Sequence, residues 1–165
     1  MFKTILMALL ATQGLCNATG SMRQARVLGR ESPPQIDHFG WQAFTEYTGI
    51  DAKQYIESPA QGLPESFSCT KGEGPERLDC PAAISAWEGQ VEDDHIHVNA
   101  GQCISATDGE CRTVLCAPLG HLRIHIEEII GRMWNPLSMR CVLGGYGGIL
   151  QSEDSAFVIE MGRPL

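Results

Sequence analysis

Apolar positions fall into short blocks of differing period along the last hundred residues. Ile96, Val98 and Ala100 alternate with His95, His97 and Asn99, the pattern of a strand with one face inward. Two further arms flank Asp108-Gly109, a dipeptide that marks a tight hairpin, with Val114 and Cys116 on the returning arm. Gly101, just before the first arm, reads as a bulge. Phe157, Ile159 and Met161 alternate with Ala156, Val158 and Glu160, predicting a last strand. "SFSCT" and Cys141 to Leu143 are shorter strand candidates, and "GGYGG" between the later two reads as a loop.

Two stretches carry a helical period instead. Asp79 suits an N-cap with Pro81 in the first turn, and Ala83, Ile84 and Trp87 then share a face up to about Gly89. In "GHLRIHIEEIIGRMW" the residues Leu122, Ile126, Ile129, Ile130 and Met133 form an apolar stripe, with Arg123, Glu127, Glu128 and Arg132 mostly off it. Gly131 weakens that helix by up to about 1 kcal/mol, and Pro136 ends it. The order is strand, helix, strand, strand, helix, strand, strand. It predicts an α+β domain over residues 65–165: a small antiparallel sheet with two helices packed on one face, stabilised by disulfides.

The preceding segment, residues 19–64, reads as a leader or N-terminal extension that is partly helical. Thr19 to Pro34 shows no hydrophobic period; Arg23, Arg26 and Arg30 fit either propeptide processing or an uncut tail. Trp41, Phe44 and Thr48 fall near helical spacing, Asp51 suits the cap of a second short turn through Tyr55, and Pro59 and Pro64 stop it.

The N-terminus changes the picture. Lys3, the apolar run from Ile5 to Leu10 and the small residues Gly14, Cys16 and Ala18 make a secretory signal over residues 1–18. The run is too short to span a bilayer, and no later segment is apolar enough to do so. The expected product is a secreted, extracellular, single-domain monomer. The full chain's formal charge of −8, slightly more acidic once Lys3 leaves with the signal, opposes phosphate backbones, which argues against nucleic acid as a partner.

Seven cysteines less Cys16, expected to leave with the signal, give six: Cys69, Cys80, Cys103, Cys111, Cys116 and Cys141. An even count in a small secreted chain implies disulfides. A zinc site needs two closely spaced pairs, whereas the spacings here are ten, twenty-two, seven, four and twenty-four intervening residues. Six cysteines allow about fifteen pairings; a bridge from Cys103 to Cys111 across the hairpin is one candidate.

Candidate chemistry is sparse. His121 and His125, four apart on the expected helix, have a spacing that presents two imidazoles to one metal, with Glu128 as a third ligand. Leu122 stands where a zinc protease carries its general base. His95 and His97 share a strand face beside Asp93 and Asp94, a second place for a metal or a plain solvated edge. "GGYGG" lacks the lysine of a phosphate loop. Glu127 and Glu128 sit side by side and do not oppose one another across a cleft. No serine lies in a nucleophile-elbow pattern, and six paired cysteines leave no reactive thiol. Neither a catalytic residue nor a cofactor is assigned.

The run "SC…LDCPAAISAWE…IHVNAGQC…CRTVLC…IEEII…RCVLGGYGG…AFVIEMG" resembles the small secreted cysteine-rich proteins of fungi, including Ecp2-like (necrosis-inducing) effectors and killer-toxin-like proteins. The resemblance covers the last two-thirds of the chain. It implies a non-enzymatic effector that acts in the extracellular space by binding a host or competitor protein or glycan, with cell death or toxicity as the outcome. The alternatives are a secreted hydrolase with an unrecognised site and a carbohydrate-binding surface protein, for which Trp41, Trp87 and Trp134 are the candidate platform.

Overall fold

The computed structural model of the chain describes residues 32–49 and 65–164. The expected signal, most of the leader and the turn expected at Asp51–Tyr55 lie outside these residues. The domain is a mixed α/β unit: an antiparallel sheet, three α-helices and three disulfides. The strands are β1 (Gln35–Gly40), β2 (Glu65–Cys69), β3 (His95–Val98), β4 (Gln102–Asp108), β5 (Cys111–Ala117), β6 (Leu122–His125), β7 (Gly148–Ser152) and β8 (Val158–Gly162). Six of them form one sheet in the order β1-β4-β5-β8-β7-β2, and β3 pairs with β6 in a separate two-stranded ribbon. The helices are α1 (Trp41–Thr48), α2 (Cys80–Ser85) and α3 (Ile126–Arg132).

β4 and β5 form the predicted hairpin. Gly109 takes φ 53° at the first central position of the turn and Glu110 does not share the positive sign, which is the pattern that lets glycine follow the twist of the strands. Asp108 thus faces Cys111, and counting back along both arms places Cys103 opposite Cys116. Those two are bridged, with Cα atoms 4.0 Å apart. The candidate Cys103–Cys111 bridge is therefore corrected by register: Cys111 lies five positions from Cys103's partner and points to the other face. It bridges Cys80 at the start of α2, and Cys69 at the end of β2 bridges Cys141.

Alternation along β5 and β8 sends side chains to two covered faces. On the first, Ile104, Ala106, Leu115, Ile159, Met161 and Leu150 pack under Ile84, Trp87, Ile129 and Met133 from α2, α3 and their extensions. Fully buried Trp87 donates from Nε1 to Thr113 Oγ1 at 2.8 Å, and that hydroxyl donates to the Ala106 carbonyl at 3.2 Å. On the second face, Phe44 of α1 packs on Cys103, Val114, Cys116, Ile149 and Val158, with Phe39 and Trp41 beside it. Among the described residues there are three α-helices: beside the two in residues 65–165, the helical spacing expected at Trp41, Phe44 and Thr48 is a helix, and it covers this second face. It closes at Gly49 in the left-handed conformation (φ 66°).

Four other elements depart from expectation. β1, read as part of the leader, is an edge strand paired along β4. Gly101 makes a turn between β3 and β4 at φ 71°, where Gln102 N donates to Asn99 O, and not a bulge. Leu122 to His125 is a strand, since Leu122 and Ile124 alternate with Arg123 and His125 as well as they fit a helix, and pairing with β3 decides. The helix starts only at Ile126, whose N–H donates to Asp94 O. Val142 to Gly144 is a tight helical turn, and the strand comes later, at β7.

Candidate functional site

The ribbon β3–β6 gathers the histidines. Ile96, Val98, Leu122 and Ile124 point inward and are buried, which turns His95, His97, Arg123 and His125 outward together. His121 precedes β6 and joins the same face. The sequence pairs are thereby exchanged: on a strand, four residues span roughly 13 Å, so His121 and His125 cannot share one ion. His125 instead meets His95, with ring centroids 5.3 Å apart, and His121 meets His97 at 5.7 Å. Glu128 lies on α3, where it pairs with Arg132 at 2.9 Å and makes no third ligand. Among the described residues no group of three or more His, Cys, Asp or Glu side chains is placed to hold a metal.

The four imidazoles differ in what their nitrogens do. His125 occupies the N-cap of α3, and its Nδ1 accepts from Glu127 N at 3.3 Å. His95 Nδ1 lies 2.6 Å from the Asp93 carbonyl and 3.1 Å from Arg123 Nη2. One nitrogen cannot donate to the first and accept from the second. The shorter contact, to an oxygen that only accepts, puts the proton on Nδ1. His97 and His121 are exposed, and neither ring hydrogen-bonds among the described residues.

A second surface surrounds Cys141. Met139, Leu143 and Tyr146 are 63%, 59% and 49% exposed although all are large and apolar. The backbone beneath them is tied in place. Gly144 N and Tyr146 N both donate to Cys141 O, at 2.9 and 3.1 Å, and Gly145 N donates to Val142 O at 2.9 Å. Gly74 N donates to Gly145 O at 2.8 Å, and the Cys69–Cys141 bridge anchors the base. The "GGYGG" loop is thus a braced knuckle. Gly74 crosses it so closely that a Cβ there would lie 2.6 Å from Tyr146 O.

A third feature was not anticipated from sequence. On the second sheet face Arg112 and Glu160 are buried together, Nη2 donating to Oε2 at 3.2 Å, and the Tyr47 ring of α1 lies 5.1 Å from the guanidinium. Gly162, directly across from Arg112, leaves the room: a Cβ there would collide with Glu160 Oε1. Arg112 Nε and Gln151 Oε1 are buried without partners among the described residues. Burial pushes the Glu160 carboxyl up to about 7, against the opposing pull of Arg112. The signal was present in the sequence as charges inside the apolar runs "CRTVLC" and "AFVIEMG", but a one-sided sheet would have turned both to solvent.

The three tryptophans do not form a platform. Trp87 is fully buried, Trp41 is half-buried and stacked on Phe44 with centroids 5.3 Å apart, and Trp134 is the exposed one. No described helix is long and apolar enough to cross a membrane. No family model, curated protein or solved structure matches this chain.

Proposed function

We propose that the chain is a secreted, disulfide-stapled recognition protein of the effector type, which acts outside the cell by binding a host or competitor protein. The braced knuckle carries this reading. Large apolar side chains held in solvent mark interaction surfaces. A backbone fixed by a bridge and four hydrogen bonds loses little freedom on binding, so more of the contact energy appears as affinity. Met139 and Leu143 offer nothing to the hydroxyls of a glycan and suit an apolar pocket, which favours a protein target. Three disulfides, typical of extracellular proteins, support the compartment.

Expression in plant leaf tissue with and without the signal tests the compartment. A response only to the exported form supports it, and an equal response to the retained form contradicts it. Leu143→Asp and Tyr146→Ala test the surface, because both side chains are exposed and the fold does not depend on them. Loss of the response with an unchanged melting temperature supports the knuckle. A full response in both variants removes it as the contact surface, and selective retention on a glycan matrix would point to the carbohydrate alternative.

A further inference from the structure

We infer that His97 and His121 form a two-histidine clamp for a divalent first-row transition ion, independent of the knuckle and of what the knuckle binds. Imidazole nitrogen suits zinc, nickel and copper. Two imidazoles on one zinc, with metal–nitrogen distances of about 2.0–2.1 Å and a tetrahedral angle between them, have centroids about 5 Å apart. The observed 5.7 Å is reached from there by a small side-chain rotation, and both rings are exposed and free to make it.

The neighbouring pair is closer, at 5.3 Å, but its nitrogens are committed. His125 uses Nδ1 as an acceptor for Glu127 N, so in its neutral form Nε2 carries the proton and has no lone pair for a metal. Ligation there would undo the cap of α3. His95 has its Nε2 open, yet no second free nitrogen faces it. Arg123 Nη2 lies 3.1 Å from His95 Nδ1, whereas His97 meets His121 diagonally across the ribbon. His97 lies on β3 and His121 immediately precedes β6, so the ion would tie β3 to the entry of β6, with water or a partner's side chain in the remaining positions.

Calorimetric titration of the full chain with Zn²⁺, and separately with Ni²⁺, at pH 7.5 tests this. One equivalent binds to the wild type. His97→Ala and His121→Ala each weaken binding by at least the roughly 10–100-fold that loss of even an outer-shell partner costs. His95→Ala leaves it unchanged. Circular dichroism checks that each variant folds, which is expected at exposed positions. No binding by the wild type, binding that survives in both clamp variants, or equal loss in His95→Ala overturns the assignment.

Discussion

Substituting Glu160 by Gln should flatten the pH dependence of stability between pH 5 and pH 8. The Glu160 carboxyl is held at about 7 in the folded protein against an ordinary 4.5, with desolvation as the main cause. Between those values the folded state keeps a proton that the unfolded state releases. The folded state therefore binds more protons, and stability falls as pH rises. A displacement of this size corresponds to about 2–3 kcal/mol between pH 5 and pH 8. In a domain of this length that is a shift of about 8–12 °C in melting temperature. The wild type should thus be more stable in mild acid. Asp154, held below its usual 3.8 chiefly by the Ala156 N–H, loses its contribution only below that range and stays outside the window. The difference between wild type and Glu160→Gln isolates the carboxyl from every other titrating group. The variant carries the same charge next to Arg112 that the wild type carries at pH 5. Urea unfolding at four pH values and constant ionic strength reads the effect. Parallel curves for the two proteins, or a wild type that gains stability toward pH 8 relative to the variant, would refute the reasoning.

Three further outcomes follow from the packing. Thr113→Val keeps the volume but strips the buried Trp87 N–H of its acceptor, and should cost about 1–3 kcal/mol in chemical denaturation. Gly74→Ala forces a Cβ to within 2.7 Å of Tyr146 Cα, and the backbone must move; a loss of about 1–3 kcal/mol is expected in the same assay. Replacing each cystine pair by serine should destabilise in the order of the loops closed: about 4 kcal/mol for Cys69–Cys141 at a separation of 72 residues, slightly less for Cys80–Cys111 at 31, and about 3 for Cys103–Cys116 at 13. Secretion yield and melting temperature should fall in that order.

Local pattern was enough for the hairpin, the Asp79–Gly89 helix and the last strand, because in each a turn residue or cap and the apolar period agree. Asp79 itself holds the N-cap position but spends its carboxylate elsewhere, accepting from Glu110 N at 2.8 Å and tying the helix to the hairpin turn. Leu122 to Ile126 satisfied two periods at once, and only pairing with β3, far away in sequence, selects the strand. That one choice re-sorted all four ribbon histidines. Register, too, was already in the sequence: once Asp108-Gly109-Glu110-Cys111 is the turn, Cys103 can face only Cys116. What local pattern could not supply is the second covered face. Arg112 and Glu160 look like outward charges until α1 is known to lie over them, and Gly162 looks like a weak strand residue until the carboxylate it accommodates is seen. The knuckle was hidden for a related reason, since glycines that signal a loose loop here answer fixed local demands: Gly145 takes φ 85°, and a Cβ at Gly147 or Gly148 would press on Thr70 Oγ1 or on Cys141.

Peptide mapping of the purified protein under non-reducing conditions tests the covalent frame on which the antiparallel domain and its proposed extracellular role both depend. The expected linked peptides join Cys69 to Cys141, Cys80 to Cys111 and Cys103 to Cys116. A Cys103–Cys111 peptide, or free thiol at any of these six positions, would contradict it.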